Sequence, residues 1–429
     1  MRAYAVEQGA SAESTPQLQS ETAVLMDAET GQILFQKDMN ERMYPASITK
    51  IMTGMLALKN AKLTDVITMS YDAVFSIDRG SSHVALDVAE QITLEQALYA
   101  LSIESANDAA NGIAELVGGS MENFATMMNA AAEECGAKNT RFVNAHGLFD
   151  ESHYTTAYDM AKITAQAIKV PGFTDFFSAD YYEVPPTNKQ PDTRYFRNRN
   201  KLLNGEVPYE GIVMSKTGWT TESQNTLVTV AERGETTLIA VVMKSSMSSY
   251  KWDDTVKMLD YGFSQFYPTQ VSIAQLASQL NLDPGTEIAE PSTLALLLPN
   301  GITTKALTAH LDWGNAPKGV PAITVPLCLQ IGTPAEPEDD LLETQVAISS
   351  AAALEQNVGK TDNQSEDLSK GQGKNRFPIV VAILAVVVVV VIIALYVLHL
   401  RANYLRRKRR MQRRKRQAQE RRNTERWDR

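Results

Sequence analysis

Between Pro378 and Leu400 the chain reads PIVVAILAVVVVVVIIALYVLHL, 23 residues without a single charge. As a helix this run measures about 34 Å, close to the thickness of a bilayer core, so it predicts a transmembrane segment. A helix buried in a soluble domain is the competing reading. The sequence that follows, RANYLRRKRRMQRRKRQ, weighs against it, because basic residues collect on the cytoplasmic side of membrane helices. Residues 401–429 hold 14 Lys or Arg against three acids and are expected to form a cytoplasmic tail drawn to anionic lipid head groups. Everything before residue 377 then lies on the outer face. The other 400 residues carry 27 basic against 47 acidic side chains, which implies no nucleic-acid surface.

Such an orientation requires export, yet MRAYAVEQGASAES contains no apolar stretch able to act as a signal. Ala10-Ser11-Ala12 resembles the small-residue end of one, so residues 1–19 are expected to be the remnant of a leader. Residues 347–376, rich in Ser, Gln, Asn, Lys and Asp, predict a flexible stalk. Residues 268–346 contain short β-prone pieces such as TLALLLPNGITTKAL and GVPAITVPLCL, which predict a small β-rich domain. Cys135 and Cys328 are far apart, and His83, His153, His310 and His399 lack ligand spacing, so no disulfide framework, metal or cofactor is expected.

Residues 20–267 form the main body. TAVLMDAETGQILFQKD, residues 22–38, predicts a hairpin with its turn at Glu29–Gly31. A helix is expected over Ile48–Leu58. Thr93 and Gln96 form a capping box before LEQALYALSIES, Gly118-Gly119 and Gly136 end two further helices, and Thr156–Val170 is a helix stopped by Pro171. Gly211–Lys216, Asn225–Glu232 and Thr236–Met243 read as strands, the last two joined at Arg233-Gly234, before a helix from about Tyr250 to Phe266. Strands at both ends with helices between them predict one mixed α/β domain whose sheet unites its termini.

In MYPASITKIMTG, residues 43–54, Ser47 precedes Lys50 by three positions at a helix start. A neutral, buried amine at that distance can take the proton from a serine hydroxyl, and the helix start offers N–H groups to an oxyanion. An N-cap serine with a solvated lysine fits the same pattern, and Ser248-x-x-Lys251 repeats it elsewhere. Ser105-Ala106-Asn107 lies 58 residues beyond Ser47, at a break between helices, and Lys216-Thr217-Gly218 lies 111 residues beyond Ser105, at a strand end. Each has a plain alternative, a helix cap and a strand exit, and Ser223-x-Asn225 repeats the second pattern. All three in this order are far rarer than any one.

The set Ser-x-x-Lys, Ser-x-Asn and Lys-Thr-Gly resembles that of the penicillin-binding proteins and serine β-lactamases. The nearer likeness is to the low-molecular-mass D-alanyl-D-alanine carboxypeptidases, through VLMDAETGQILFQKD, YPASITKIMT, ESANDAA, NAHGLFDESHYTTAYDMA and SKTGWT, spread over about residues 20–265. The resemblance implies a transpeptidase-like domain with a sheet flanked by a helical cluster, then a β-rich domain and a membrane anchor. It implies Ser47 as acylated nucleophile, Lys50 as its base and Ser105 as proton relay. Asn107, Lys216 and Thr217 would bind substrate, Gly218 would let the substrate backbone lie against the strand, and the N–H groups of Ser47 and Trp219 would form the oxyanion hole. His146, in the family-like HGL segment, is a weaker candidate. The family often carries an arginine after the strand corresponding to Thr236–Met243. Here the segment MKSSMSSYK offers only Lys244 and Lys251, and Arg199 is the expected substitute. The implied partners are peptidoglycan stem peptides ending in D-Ala-D-Ala, β-lactam antibiotics and the bacterial cytoplasmic membrane. A β-lactamase is the first alternative, though no Glu-x-x-Leu-Asn segment supplies its second carboxylate. A non-enzymatic wall-binding or antibiotic-sensing ectodomain is the other.

Overall fold

The computed structural model describes residues 15–276, 279–280, 286–290, 292–311, 322–331 and 342–350. Its centre is a five-stranded antiparallel sheet of β1 (Thr22–Asp27), β2 (Ile33–Lys37), β7 (Ile212–Thr220), β8 (Gln224–Arg233) and β9 (Thr236–Ser245), in the order β2-β1-β9-β8-β7. The sheet does unite the ends of the domain: β1 pairs with β9 from Thr22 opposite Met243 to Asp27 opposite Leu238. All six residues of β1 are buried, because both faces of the sheet are covered. Alternate residues serve two cores. Val24, Met26, Val228, Val230, Ile239 and Val241 face a helical cluster, while Ala23, Leu25, Leu227, Ala231, Leu238 and Ala240 face a single long helix.

The helical cluster follows β2. It comprises α1 (Lys50–Asn60), α2 (Tyr71–Phe75), α3 (Leu94–Ile103), α4 (Asn107–Gly118), α5 (Met121–Glu134), α6 (Ala157–Ala167) and α7 (Phe173–Phe177). Two small strand pairs, β3 (Val66–Thr68) with β4 (Gln91–Thr93) and β5 (Tyr181–Val184) with β6 (Arg194–Arg197), lie among them. The expected capping box is present at α3, where the Thr93 hydroxyl accepts from the Gln96 N–H and the Gln96 side chain accepts from the Thr93 N–H. Gly119 and Gly136 take left-handed φ of 70° just past their helices. Helix α6 stops short of the expected Val170. Lys169 and Val170 donate to carbonyls only three residues back, the tightened exit expected before Pro171. Helix α8 (Ser248–Gln265) covers the other face of the sheet with Trp252, Met258 and Leu259.

Three expected boundaries shift. Leu18 packs in the core beneath α8, and the Gln19 and Ser20 N–H groups donate to the Asp254 carboxylate at 2.7–3.1 Å, so the last residues of the supposed leader belong to the folded domain. Strand β10 (Phe266–Ser272) pairs with β12 (Thr293–Pro299) from Phe266 onward, so a division at residue 267 cuts a strand. After α9 (Ile273–Leu276), β11 (Thr286–Glu290), β13 (Leu307–Leu311), β14 (Ala322–Ile331) and β15 (Leu342–Ser350) form a second sheet in the order β11-β15-β14-β13. Strand β15 runs into the range assigned to the stalk, because Val346–Ser349 find partners in Ala322–Val325. Among the described residues no helix is long and apolar enough to cross a membrane. The run Pro378–Leu400 and the tail 401–429 lie outside the described residues.

Candidate active site

Ser47 sits in a one-turn 3-10 segment, Ala46–Thr49, rather than at the N-cap of an α-helix, and α1 begins only at Lys50. The distinction matters, because side chains three apart eclipse one another in a 3-10 turn. Lys50 Nζ lies 3.0 Å from Ser47 Oγ. The turn is wedged between two glycines. A Cβ on Gly147 would stand 1.9 Å from the Ala46 carbonyl oxygen, and one on Gly218 would stand 2.8 Å from the Ser47 nitrogen and 3.0 Å from the Pro45 oxygen. Gly218 thus makes room for the nucleophile turn itself, a requirement additional to any approach of substrate. Thr226 on β8 ties the same turn to the sheet by donating to the Pro45 oxygen at 2.9 Å.

Lys50 is fully buried. Besides Ser47, it reaches Asn107 Oδ1 and the His146 carbonyl, both at 2.7 Å. A neutral amine has two N–H bonds and one lone pair; spent on the two carbonyl oxygens, the N–H bonds leave the lone pair facing the serine hydroxyl. Burial, reinforced by the charge of Lys216 and opposed by Asp108, holds the Lys50 pKa well below the ordinary lysine value. The arrangement favours the neutral base that proton removal requires.

Ser105 occupies the break between α3 and α4 with a left-handed φ of 57°, which turns it away from capping and leaves Ala106 at the N-cap. Its Oγ accepts from Lys216 Nζ at 3.0 Å. Lys216 is buried too, and burial together with Lys251 lowers its pKa to about 7. Asn107, the first residue of α4, donates through Nδ2 to Ser81 Oγ at 2.9 Å, and its backbone N–H donates to the Ser82 oxygen at 2.8 Å. Sequence reasoning missed this Ser81-Ser82 loop: no motif marks it, and it acts mainly through position. A cavity of about 300 Å³ opens here, lined by Ser81, Ser82, Ser105, Arg199, Lys216 and Thr217 among others.

The structure separates the weaker candidates. Arg199 lies on the cavity wall beside Lys216 and Thr217. Lys244 does not: it lines a different cavity and pairs with Glu21 at 2.9 Å. Lys251 is buried and donates to Asn225 Oδ1 at 3.1 Å, and burial lowers its pKa to about 8. The His146 ring accepts the Leu148 N–H on Nδ1, while the His146 carbonyl accepts from Lys50. His153, passed over in the sequence except as a metal ligand, holds Thr49 Oγ1 at 2.9 Å through Nε2 and accepts the Val143 N–H on Nδ1. Burial keeps it neutral, with a pKa near 3. Trp219 stands exposed at the end of β7. Among the described residues no His, Cys, Asp or Glu trio gathers as a metal site would need.

A buried amine aimed at a serine, a second serine under a second lysine, and an edge strand beside them are the features of an acylating hydrolase. The family model described as D-alanyl-D-alanine carboxypeptidase matches residues 9–247. The chain belongs to that family. It is 32% identical over 293 residues to the D-alanyl-D-alanine carboxypeptidase DacF of Bacillus subtilis, covering 66% of this chain and 73% of the relative. Its fold is similar to that of the D-alanyl-D-alanine carboxypeptidase of Mycobacterium tuberculosis H37Rv, with 27% identity, a TM-score of 0.54, and 58% of this chain and 93% of that one covered. A mutant of the Streptomyces K15 DD-transpeptidase gives 29% identity and a TM-score of 0.55 over 58% of this chain and all of the other. Membership in this carboxypeptidase family makes the chain a serine-type peptidase of the penicillin-binding fold.

Proposed function

We propose that the protein removes the terminal D-alanine from peptidoglycan stem peptides ending in D-Ala-D-Ala, through an acyl-enzyme on Ser47. Lys50 takes the Ser47 proton as the oxygen attacks the penultimate carbonyl. The N–H groups of Ser47 and Trp219 receive the developing oxyanion, a contribution of roughly 10²- to 10³-fold per donor. Ser105, hydrogen-bonded to Lys216, passes a proton to the departing D-alanine nitrogen, and Asn107 holds the substrate amide. Lys216, Thr217 and the nearby Arg199 hold the terminal carboxylate. Water then hydrolyses the ester. Penicillins, which imitate the dipeptide end, acylate the same serine.

One observation carries this reading: Lys50 is fully buried, lies 3.0 Å from Ser47 Oγ, and has carbonyl acceptors for two N–H bonds. The uncharged run Pro378–Leu400 and the basic tail support a single-pass anchor in a bacterial cytoplasmic membrane, with the catalytic domain outside, a β-rich domain beneath it and residues 351–376 as stalk. Treatment with benzylpenicillin followed by mass spectrometry tests the chemistry. The adduct is expected on Ser47, and Ser47→Ala should lose both adduct and D-alanine release; an adduct on another residue would overturn the assignment.

A further inference from the structure

The loop of residues 78–90 has two faces. On one, Ser81 and Ser82 line the cavity beside Lys216; on the other lies a larger cavity, of about 570 Å³, bounded by α2 and by the loop of residues 187–194, and His83 lines both. The loop is held in a set shape. The buried Asp108 carboxylate accepts the Val84 and Leu86 N–H groups at 3.0–3.3 Å, and Arg194 grips the buried Glu90 through both terminal guanidinium nitrogens, at 2.7 and 3.0 Å. Ala85 and Ala89 stand in the left-handed region, at φ of 55° and 62°, which alanine adopts only where its surroundings compel it. The larger cavity is therefore preformed, and no residue proposed for the chemistry lines it.

Its lining has the mixed character of a sugar site rather than of an ion site. Three cations, Arg79, Lys189 and Arg194, line it together with three acids, Asp87, Glu90 and Asp108. Glu90 and Arg194 satisfy each other, and Asp108 is spent on the loop. Arg79 and Lys189 then have no ion pair or side-chain hydrogen bond among the described residues, and the Asp87 carboxylate accepts only the Val88 N–H. Spare donors and an acceptor without net charge suit hydroxyl groups, which both give and take hydrogen bonds. The apolar part is Val74, Ile77 and Leu86 with Phe75, whose ring is 41% exposed, meets Tyr71 at 4.8 Å and carries the Arg79 guanidinium at 5.3 Å. A pyranose divides in the same way, with C–H groups on a face and hydroxyls around the edge: an exposed phenyl ring receives the face, and the charged side chains receive the edge. An acetamido methyl covers apolar surface left beyond the ring.

We infer that this cavity binds an uncharged N-acetylated pyranose, as a docking site for a glycan chain separate from the peptide end that enters beside Lys216. The inference goes beyond the carboxypeptidase reading and does not depend on it, because a sugar held by Phe75, Arg79 and Asp87 needs nothing from Ser47. A glycan seated there stands against the back of the loop whose front is the Ser81–Ser82 wall. The enzyme thereby keeps its hold on a polymer between one peptide end and the next.

Titration of the protein with N,N′,N″-triacetylchitotriose, followed by saturation-transfer NMR, tests it. A dissociation constant of about 1 mM is expected. Phe75→Ala, at an exposed position, should weaken binding about tenfold and Arg79→Ala/Asp87→Ala about fivefold, with an unshifted melting temperature in each as the check on folding. Protein already acylated by benzylpenicillin should bind the sugar equally well. No transfer at about 10 mM sugar, an affinity unmoved by Phe75→Ala, or loss of the sugar on acylation would overturn the site, the last by placing the sugar in the catalytic cavity. Tighter binding of glycerol 3-phosphate than of the sugar would overturn it too, in favour of cations acting on an anion. Absence of D-alanine release, by contrast, would sink the carboxypeptidase reading and leave the sugar site standing.

Discussion

Lys50 and Lys251 invite comparison. Each follows a serine by three residues, each is buried, and each donates to an asparagine side chain, Asn107 at 2.7 Å and Asn225 at 3.1 Å. Only Lys50 meets its serine. Ser47 lies in a 3-10 turn, which eclipses residues three apart, whereas Ser248 opens the α-helix α8 and points into solvent. The same four-residue pattern therefore brings an amine onto a serine hydroxyl in one place and makes a structural tie in the other. The difference teaches that turn type, imposed here by Gly147, Gly218 and Thr226 pressing on Pro45–Ser47, converts a common spacing into chemistry.

The largest effect should come from exchanging the two amines for methionine. Lys50→Met removes the amine proposed as general base and is expected to slow acylation by penicillin on the order of 10³-fold. Lys251→Met should slow it far less, because Lys251 ties Asn225 rather than touching Ser47, and its loss lets Lys216 keep its proton more readily. Stopped-flow acylation over a range of penicillin concentrations separates the two effects; equal losses from both substitutions would erase the contrast.

Gly218→Ala comes next. Its methyl carbon would push on the Ser47 nitrogen, and a displacement of the reacting group by a fraction of an ångström to one ångström is worth about 100-fold in acylation. A normal rate with an unshifted melting temperature would show that the turn is not clamped as described.

A smaller difference separates the cations outside the pair. Arg199→Ala should raise KM for a D-Ala-D-Ala peptide about fivefold, while Lys244→Ala, already paired with Glu21, should change it less than twofold. The reverse order would return Lys244 to the substrate.

The gentlest test is of stability against pH. Lys251 titrates at about 8 in the folded protein and nearer the ordinary 10.5 when unfolded, so the unfolded chain binds more protons in between and stability rises with pH across that window. The group costs the fold most below about 8. Lys251→Met should therefore gain less in melting temperature than the unmodified protein between pH 8 and 10; an identical gain would place the lysine in a wetter site.

Much of this was legible in the residues. Ser47, Lys50, Ser105, Asn107 and Lys216 stand out by type and spacing, and the Thr93–Gln96 box and the Gly119 and Gly136 exits obey local rules that hold whatever surrounds them. What escaped was made by distant backbone. The His146 carbonyl that receives Lys50 and the Ser82 carbonyl that receives the Asn107 N–H bear no side-chain signature. The 3-10 turn at Ser47 was equally hidden, because the sequence around it suits an α-helix and only contacts from residues about 100 and 170 positions away forbid one. Lys244 directly follows the expected strand Thr236–Met243 in the chain, yet in space it pairs with Glu21 and lines a different cavity.

The pairing of β1 with β9 joins Thr22 to Met243, and Ser20 is clasped by Asp254. The second strand to leave a ribosome or a translocation channel thus flanks one completed early, while the strand on its other side arrives more than 200 residues later. Until then the oldest part of the catalytic domain has an open edge and an uncovered apolar face, a topology of high contact order that folds slowly. Assembly of the Ala46–Thr49 turn against β7 and β8 must wait for the same late segments, so Ser47 and Lys50 meet Lys216 only when the chain is nearly whole.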